Sequence, residues 1–597
     1  MRITRITLLA LSALSSLLAL ASPWAAAAAQ STLQQPKEAA IPTPVPSPIL
    51  PIVPTVARGY EAPRVAPSAA PIIGVTQQPF VGVALQDAVA MALLKNPDLA
   101  FSASDVKIAR YQIVQAKGPF DVQFRVEPSS SYSVQPPQNP LFAGPNYGNI
   151  VQHQSSLQYG FQGQTINGTQ FGVGIQQARI YNNTTVNQFN PYYAASLNVS
   201  VTQPLLRNLG MNESKRELKL AVVNQDSQTA QALVDSSNII WQVEDAYWDL
   251  VSAWRNVAIQ EAALKEAIAQ QKSNVRLAKR GRAAPINAIE SSTQVSTFQT
   301  QVFSAIQQVS EIQNKLKSLI VTDPGDPIWT ANLVPTTSVL QLPSVADLDT
   351  IVAVAHTERP EVRQARDREA KAAIDRAYAR NQSLPQADIS AQYQSNGFAG
   401  TIQAVPPVLA SLCPGGVCPT PPPATQGTMA QAYHNLWGNL YPTFNINFTV
   451  SFPLQNDYAN GLKGQASEEE RQAQIVSEQV AQRIGFESRN ALMSYQSALS
   501  QLNSARQARE SAEQVLASEQ RKFDNGESTT YLVLQRQVQL NQAQGIELSA
   551  QNDLNKSIVE LQRVEGTILS NNGVNLQTLG TRALATPNPQ GEPSADR

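Results

Sequence analysis

The sequence predicts a mainly α chain with a membrane β section, built by internal duplication. Three observations carry this. First, Leu85 opens LQDAVAMALLKNPDLA and Leu348 opens LDTIVAVAHTERPEVR; setting Pro97 against Pro360 aligns Leu85 with Leu348 and Ala92 with Ala355. Each copy then passes a proline (Pro119, Pro385) and an alternating stretch. A long helical pattern follows, starting just after QPLL (Gln203–Leu206) or FPLQ (Phe452–Gln455) and breaking once, at Gly281 or Gly526. A repeat of this kind marks two copies of one supersecondary unit. Second, proline is absent from about 214 to 278 and from about 458 to 522, so each run can form a helix roughly 100 Å long at 1.5 Å per residue. Third, Phe444, Ile446, Phe448, Val450 and Phe452 alternate with Asn445, Asn447, Thr449 and Ser451. Period two with one greasy and one amide or hydroxyl face suits a strand between lipid and a wet lumen. A half-buried soluble sandwich strand has the same period.

Along the chain, residues 1–29 read as a secretory signal. Arg2 and Arg5 flank the start, Ile6–Ala21 is apolar, and Ala25–Ala29 offers small-residue cleavage sites. A retained membrane helix is the alternative, for which the apolar core is short. Residues 30–80 are rich in proline and alanine and read as an extended, disordered leader. The first repeat follows at 81–320, then a linker at 321–343, the second repeat at 344–570, and a partly disordered tail at 571–597. After the signal no apolar run approaches the ~18 residues of a spanning helix. Any entry into a membrane is therefore as a closed β-barrel.

The first repeat has the strand pattern Phe120, Val122, Phe124, Val126, and a later one at Leu197, Val199, Val201. Between them lies an additional hairpin: Leu157, Tyr159 and Phe161 lead to Asn167-Gly168, a type I′ turn signal, and Phe171, Val173 and Ile175 follow. An up–down path puts this tight turn on the inner side of the membrane and the long connections (about 133–155, 180–193 and 396–443) outside. In the long helices Ile240, Val243, Tyr247, Leu250, Trp254, Val257 and Leu264, and Leu492, Tyr495, Leu499 and Leu502, fall at heptad spacing. Such narrow seams suit antiparallel coiled-coil partners. Four to six strands per chain leave open edges that lipid does not tolerate, so strands in lipid require cyclic assembly of several copies.

Composition and motifs exclude several functions. With 44 basic and 45 acidic residues the net charge is −1, which gives no footprint for nucleic acid. His153, His356 and His434 are far apart, and no HExxH, G-x-S-x-G or GxxxxGK[ST] motif occurs. No enzyme, cofactor or metal site is read. Glu244 and Asp245 are expected to face solvent or a tunnel rather than to form an acid/base pair, and Trp241, Trp248 and Trp254 to pack the seam. The two cysteines, Cys413 and Cys418, flank Pro414-Gly415-Gly416. In an oxidising compartment a local disulfide is the favoured reading; two free thiols or half of a metal site are the alternatives.

The segments LQDAVAMALLKNPDLA (85–100), QPLL, FPLQ, AKRGRAAPINAIE (278–290) and above all FDNGESTTYLVLQRQVQLNQAQ (523–544) resemble the TolC-type outer-membrane efflux proteins, over about residues 80–575. The resemblance implies a trimeric outer-membrane β-barrel of 12 strands continuing into a long periplasmic α-helical coiled-coil barrel. It further implies location in the bacterial outer membrane and docking to an inner-membrane RND or ABC-type pump through a periplasmic adaptor (membrane fusion protein). The extra hairpin departs from four strands per chain and makes the count 12 or 18. Such a chain is a passive exit duct for substrates driven by its partners. Service in type I protein secretion is the near alternative, and a structural coiled-coil envelope protein the alternative of another class. By alignment, Gly281, Arg282, Ala283, Ala284 and Pro285, with Gly526, Glu527, Ser528, Thr529 and Thr530, are the adaptor-contact tips. Some family members close the tip with an aspartate ring tied by an arginine and a tyrosine. Here Asn287, Leu532 and Gln535 stand at the aspartate positions, Ser528 at the arginine and Phe523 at the tyrosine, leaving Glu290 as the nearby acid. Closure is then expected at Leu532 and through amide contacts rather than a cation-binding carboxylate ring.

Overall fold

Two helices of 67 and 68 residues dominate the chain. The structure is a computed structural model that describes residues 80–137, 148–184, 187–282, 284–323, 325–337, 346–404, 413 and 418–574. The expected signal, the leader up to 79, Ala283, linker residues 324 and 338–343, and the tail beyond 574 lie outside these.

From the N-terminal side, β1 (Phe80–Val83) leads into α1 (Leu85–Lys95) and α2 (Pro97–Lys117). Four strands follow: β2 (Gln123–Gln135), β3 (Ile150–Gln164), β4 (Gln170–Asn182) and β5 (Phe189–Pro204). Then come α3 (Glu213–Lys279), α4 (Pro285–Ile320) and β6 (Asn332–Pro335). The second half runs α5 (Leu348–Glu358), α6 (Pro360–Gln382), β7 (Gln386–Ile402), α7 (Met429–Trp437), β8 (Tyr441–Ser451), α8 (Asp457–Asp524) and α9 (Thr530–Glu565). Corresponding helices match closely in length: α1 and α5 have 11 residues each, and α4 and α9 have 36 each. Helix starts follow ordinary capping chemistry. The Asn96 side chain accepts from the Asp98 and Leu99 amides, with Pro97 at the first helical position, and Asn212 accepts from the Lys215 amide.

The main core surrounds the middle of α3. Ile240, Val243, Tyr247, Leu250, Trp254 and Val257 are buried as the heptad spacing predicts, against α1, α4 and the small parallel pair β1–β6. Tyr247 Oη donates to the Val83 carbonyl (3.0 Å) and Trp254 Nε1 to the Leu333 carbonyl (2.9 Å), so both polar tips are satisfied inside that core. Tyr495 and Leu502 of α8 are buried against Leu554 and Ile558 of α9.

The six long strands form one antiparallel sheet in the order β2-β3-β4-β5-β7-β8. Directly opposed residues share a face, so the register settles which side each row occupies. Phe124, Phe161, Val173, Val199, Tyr393 and Phe444 make one continuous apolar row across all six strands. Gln123, Gln162, Gly172, Ser200, Gln392 and Asn445 make a polar row on the other face. The outer edges of β2 and β8 have no strand partner among the described residues. Every residue of β8 is exposed in the single chain, Phe444, Ile446, Phe448 and Val450 included.

α7 lies on the apolar face near the connection end. There Ser395 Oγ donates to the Leu436 carbonyl (2.7 Å), and a Cβ at Gly397 would stand 1.8 Å from the Ala432 carbonyl oxygen. Only glycine lets this helix approach so closely. Beyond α7's N-terminal side, Cys413 and Cys418 are disulfide-bonded, with Cα atoms 5.0 Å apart.

Three expectations are corrected. The pattern from Phe120 begins as a single 3₁₀ turn, Gly118–Phe120, and the strand starts at Gln123. The Asn167-Gly168 turn is not type I′: Gly168 alone has positive φ (+92°). Gly168 N donates to the Thr165 carbonyl and Thr165 N to the Thr169 carbonyl, a three-residue loop in which glycine supplies the left-handed step. Glu244 does not face solvent or a tunnel. It is buried, and its Oε1 accepts from Asn572 Nδ2 at 2.9 Å; burial pushes its pKa above the ordinary value, the Asn572 hydrogen bond opposing this only in part.

Candidate functional site

The two glycine breaks are built alike. At the end of α3, Gly281 takes φ +69°, its amide donates to the Ala278 carbonyl and the Arg282 amide to the Leu277 carbonyl. At the end of α8, Gly526 takes φ +82°, its amide donates to Phe523 and the Glu527 amide to Lys522. Both are left-handed C-caps that satisfy the last free carbonyls while turning the chain, which is why a glycine stands at each. The return helix starts differently in the two. Pro285 opens α4 after Ala284, whereas the Thr529 hydroxyl caps α9 by accepting from the Leu532 amide at 3.4 Å.

The sequence-selected tip residues separate by this geometry. Gly281, Arg282, Ala284, Pro285, Gly526, Glu527 and Thr529 are exposed, and Thr530 is buried at 3%; Ala283 lies outside the described residues. Thr530 is therefore a packing residue. Of the constriction candidates, Asn287, Glu290, Phe523, Ser528 and Leu532 are half-buried and Gln535 is exposed. Ser528 Oγ donates to the Glu519 carboxylate, which holds the loop against α8. Among the described residues, no hydrogen bond or ion pair links Asn287 or Glu290 to the second tip. The hairpins join higher up, where Asn541 Nδ2 donates to Gln260 Oε1 (3.1 Å) and Asn552 Nδ2 to Asp249 Oδ1 (2.9 Å).

Sequence reasoning missed Ile286 and Tyr531. Each is the second residue of its return helix, and they are 55% and 61% exposed. Two bulky apolar side chains at equivalent, solvent-facing positions form a surface feature of the tips. The signal was present, since both stand one place after the helix-opening Pro285 or Thr530.

Far from the tips, Arg359 at the α5–α6 junction clamps the second half. Its side chain is 6% exposed and pairs with Glu361 (2.7 Å) and with Glu487 of α8 (2.5 Å). Burial would raise the Glu361 pKa, but Arg359 outweighs it and holds this carboxyl below its ordinary 4.5. A depressed folded pKa gives stability that is complete above the unfolded value and lost as pH falls through the folded one. Arg359→Met is expected to cost about 3 kcal/mol at pH 7, the low end for breaking such a pair because the carboxylates keep some solvent. Urea unfolding should show that loss shrinking below pH 4.5; a loss independent of pH would mean that packing, not charge, holds the junction.

No protein-family model and no curated protein matches the sequence. Among solved structures the likeness spans most of the chain. The outer-membrane channel OprN shares 15% identity over 81% of this chain and 90% of its own, with a TM-score of 0.57. The Campylobacter jejuni outer membrane channel CmeC shares 13% over 84% and 89% (TM-score 0.55). The outer membrane protein VceC from Vibrio cholerae shares 14% over 81% and 96% (TM-score 0.55). The chain is mostly helical with one large sheet and has the fold of these outer-membrane channels.

Proposed function

We propose that this chain is a TolC-type outer-membrane efflux protein, a passive exit duct in the bacterial outer membrane with a periplasmic extension. Three copies close their sheets edge to edge, β8 of one against β2 of the next, with the apolar rows toward lipid and the polar rows lining the lumen. The helices continue the duct roughly 100 Å into the periplasm, where the tips dock a periplasmic adaptor coupled to an RND or ABC-type pump. The two halves are a duplicated unit, and the half-buried Leu532 narrows the tip.

The observation that carries this is the six-residue apolar row Phe124–Phe161–Val173–Val199–Tyr393–Phe444, exposed at Phe124, Phe161, Val173 and Phe444 and half-buried at Val199 and Tyr393, on a sheet whose two edge strands have no strand partner among the described residues. A greasy face needs lipid, and open edges in lipid need partners. An even number of strands makes β2 and β8 run oppositely, so that copies join in antiparallel fashion. In detergent the protein should run as a heat-modifiable trimer, and in planar bilayers it should give discrete conductance steps insensitive to trivalent cations. A monomer without conductance would overturn the assembly, and tight block by trivalent cations from the periplasmic side would overturn closure at Leu532.

A further inference from the structure

The hairpin β3–β4 is the element that sets the width of the proposed barrel, and its placement is specific. It is not appended to the sheet's rim but inserted within it, between β2 and β5, with 15 and 13 residues per strand. A membrane-spanning strand needs about 9–11. Its turn is pinned beside the strand-to-helix exit: Asn212 Nδ2 donates to the Ile166 carbonyl (3.1 Å), and Thr169 Oγ1 donates to Gln203 Oε1 (2.5 Å). The hairpin therefore runs the full height of the sheet and returns.

Its lower rows match the rest of the sheet; nearer the connections the apolar face carries Gln177 and Arg179, and Gln177 accepts a hydrogen bond from Tyr433 of α7 at 2.6 Å. Phe161 and Val173 sit in the apolar row between Phe124 and Val199. On the polar face it presents Gln158, Gly160, Gln162, Gly172, Gly174 and Gln176, with no charged residue. Gly160 and Gly174 face each other so closely that a Cβ on Gly160 would lie 2.6 Å from the Gly174 Cα. The hairpin itself bears little side-chain bulk there, and Arg125 of β2 stands opposite Gly160 on the same face.

We infer that β3 and β4 are lipid-facing wall staves, so that each copy supplies six strands rather than four and the exit barrel is wider than a 12-strand one, with an uncharged, glycine-relieved inner surface on the added sector. This rests on the proposed barrel and trimer. Barrel diameter grows nearly linearly with strand number. With strands ~4.8 Å apart and tilted ~40°, 18 strands give about 36 Å across the backbone against about 24 Å for 12. The added width suits bulky cargo at the outer mouth. The register also says how the insertion can be undone: removing residues 136–182 joins β2 to β5 through the existing 183–188 connection and sets Phe124 opposite Val199, on the same face.

The native cysteines are paired, so single introduced cysteines can be labelled in the full chain. Val173→Cys and Phe444→Cys, which share one row of the sheet, each carry a bimane and are placed in vesicles containing a nitroxide-labelled phospholipid. Equal quenching at the two positions is expected. Quenching at 444 without quenching at 173 overturns the stave assignment alone, whereas no quenching at either overturns the lipid-facing wall itself. For width, Asn198→Cys in the polar face is challenged from outside with size-graded polyethylene glycol maleimides. The full chain should admit larger reagents than the 136–182 deletion, and equal cut-offs overturn the widening; if the deletion does not assemble, the quenching comparison decides.

Discussion

On the proposed barrel, Phe448→Arg is expected to abolish the outer-membrane oligomer, while Asn447→Arg, one residue away, leaves it in place. Phe448 lies opposite Ile389, in the middle of the apolar residues of β8, and is 63% exposed on the single chain. An arginine on the lipid face costs up to about 2–4 kcal/mol, the most at the bilayer midplane. With one such site per copy the penalty in a trimer reaches up to roughly 6–12 kcal/mol, of the order of a domain's whole stability. Asn447 lies opposite Ser390 on the polar row, where an arginine meets water. The readout is the heat-modifiable oligomer in washed outer membranes. The contrast between neighbours is the informative part, because general damage to β8 would affect both. Equal tolerance of the two would place the apolar row out of lipid and remove the basis of the barrel.

The elements legible in the sequence were those whose physics is periodic and long. The proline-free runs placed α3 and α8 to within two residues, and the a/d spacing named the side chains that fill the α3 seam. The alternation from Phe444 to Phe452 located β8. What escaped was short or set by tertiary contacts. The pair β1–β6 has four residues per strand, too few for a period to show. α7 sits inside a proline-rich connection, and its position depends on the glycine at 397 in another strand. The burial of Glu244 depends on Asn572, far away in sequence, and no local pattern brings the two together. At the tips, resemblance singled out the glycine loops, whose conformation the structure explains fully by capping. The exposure of Ile286 and Tyr531 becomes visible only once the return helices have a defined face.

Those two residues set the second expectation: Ile286→Asp combined with Tyr531→Asp should disconnect the proposed channel from the proposed adaptor without closing it. Both side chains are more than half exposed in the single chain, and neither caps a helix nor fills a core. Each stands at the second position of its helix, where the N-terminal dipole favours an added carboxylate, so folding and assembly should survive. Fully burying an apolar side chain of this size at an interface is worth about 1.5–3 kcal/mol. Losing both should weaken docking by about a hundredfold or more, at 1.4 kcal/mol per tenfold. Surface plasmon resonance against the adaptor measures that loss, and planar-bilayer conductance of the variant alone should match the parent. Charge-neutral Ile286→Ser with Tyr531→Ser separates lost apolar contact from added repulsion, and should weaken docking by a smaller factor in the same direction. Unchanged docking in the aspartate variant would move the contact to the glycine loops themselves, where Arg280, Arg282 and Glu527 are exposed charged groups.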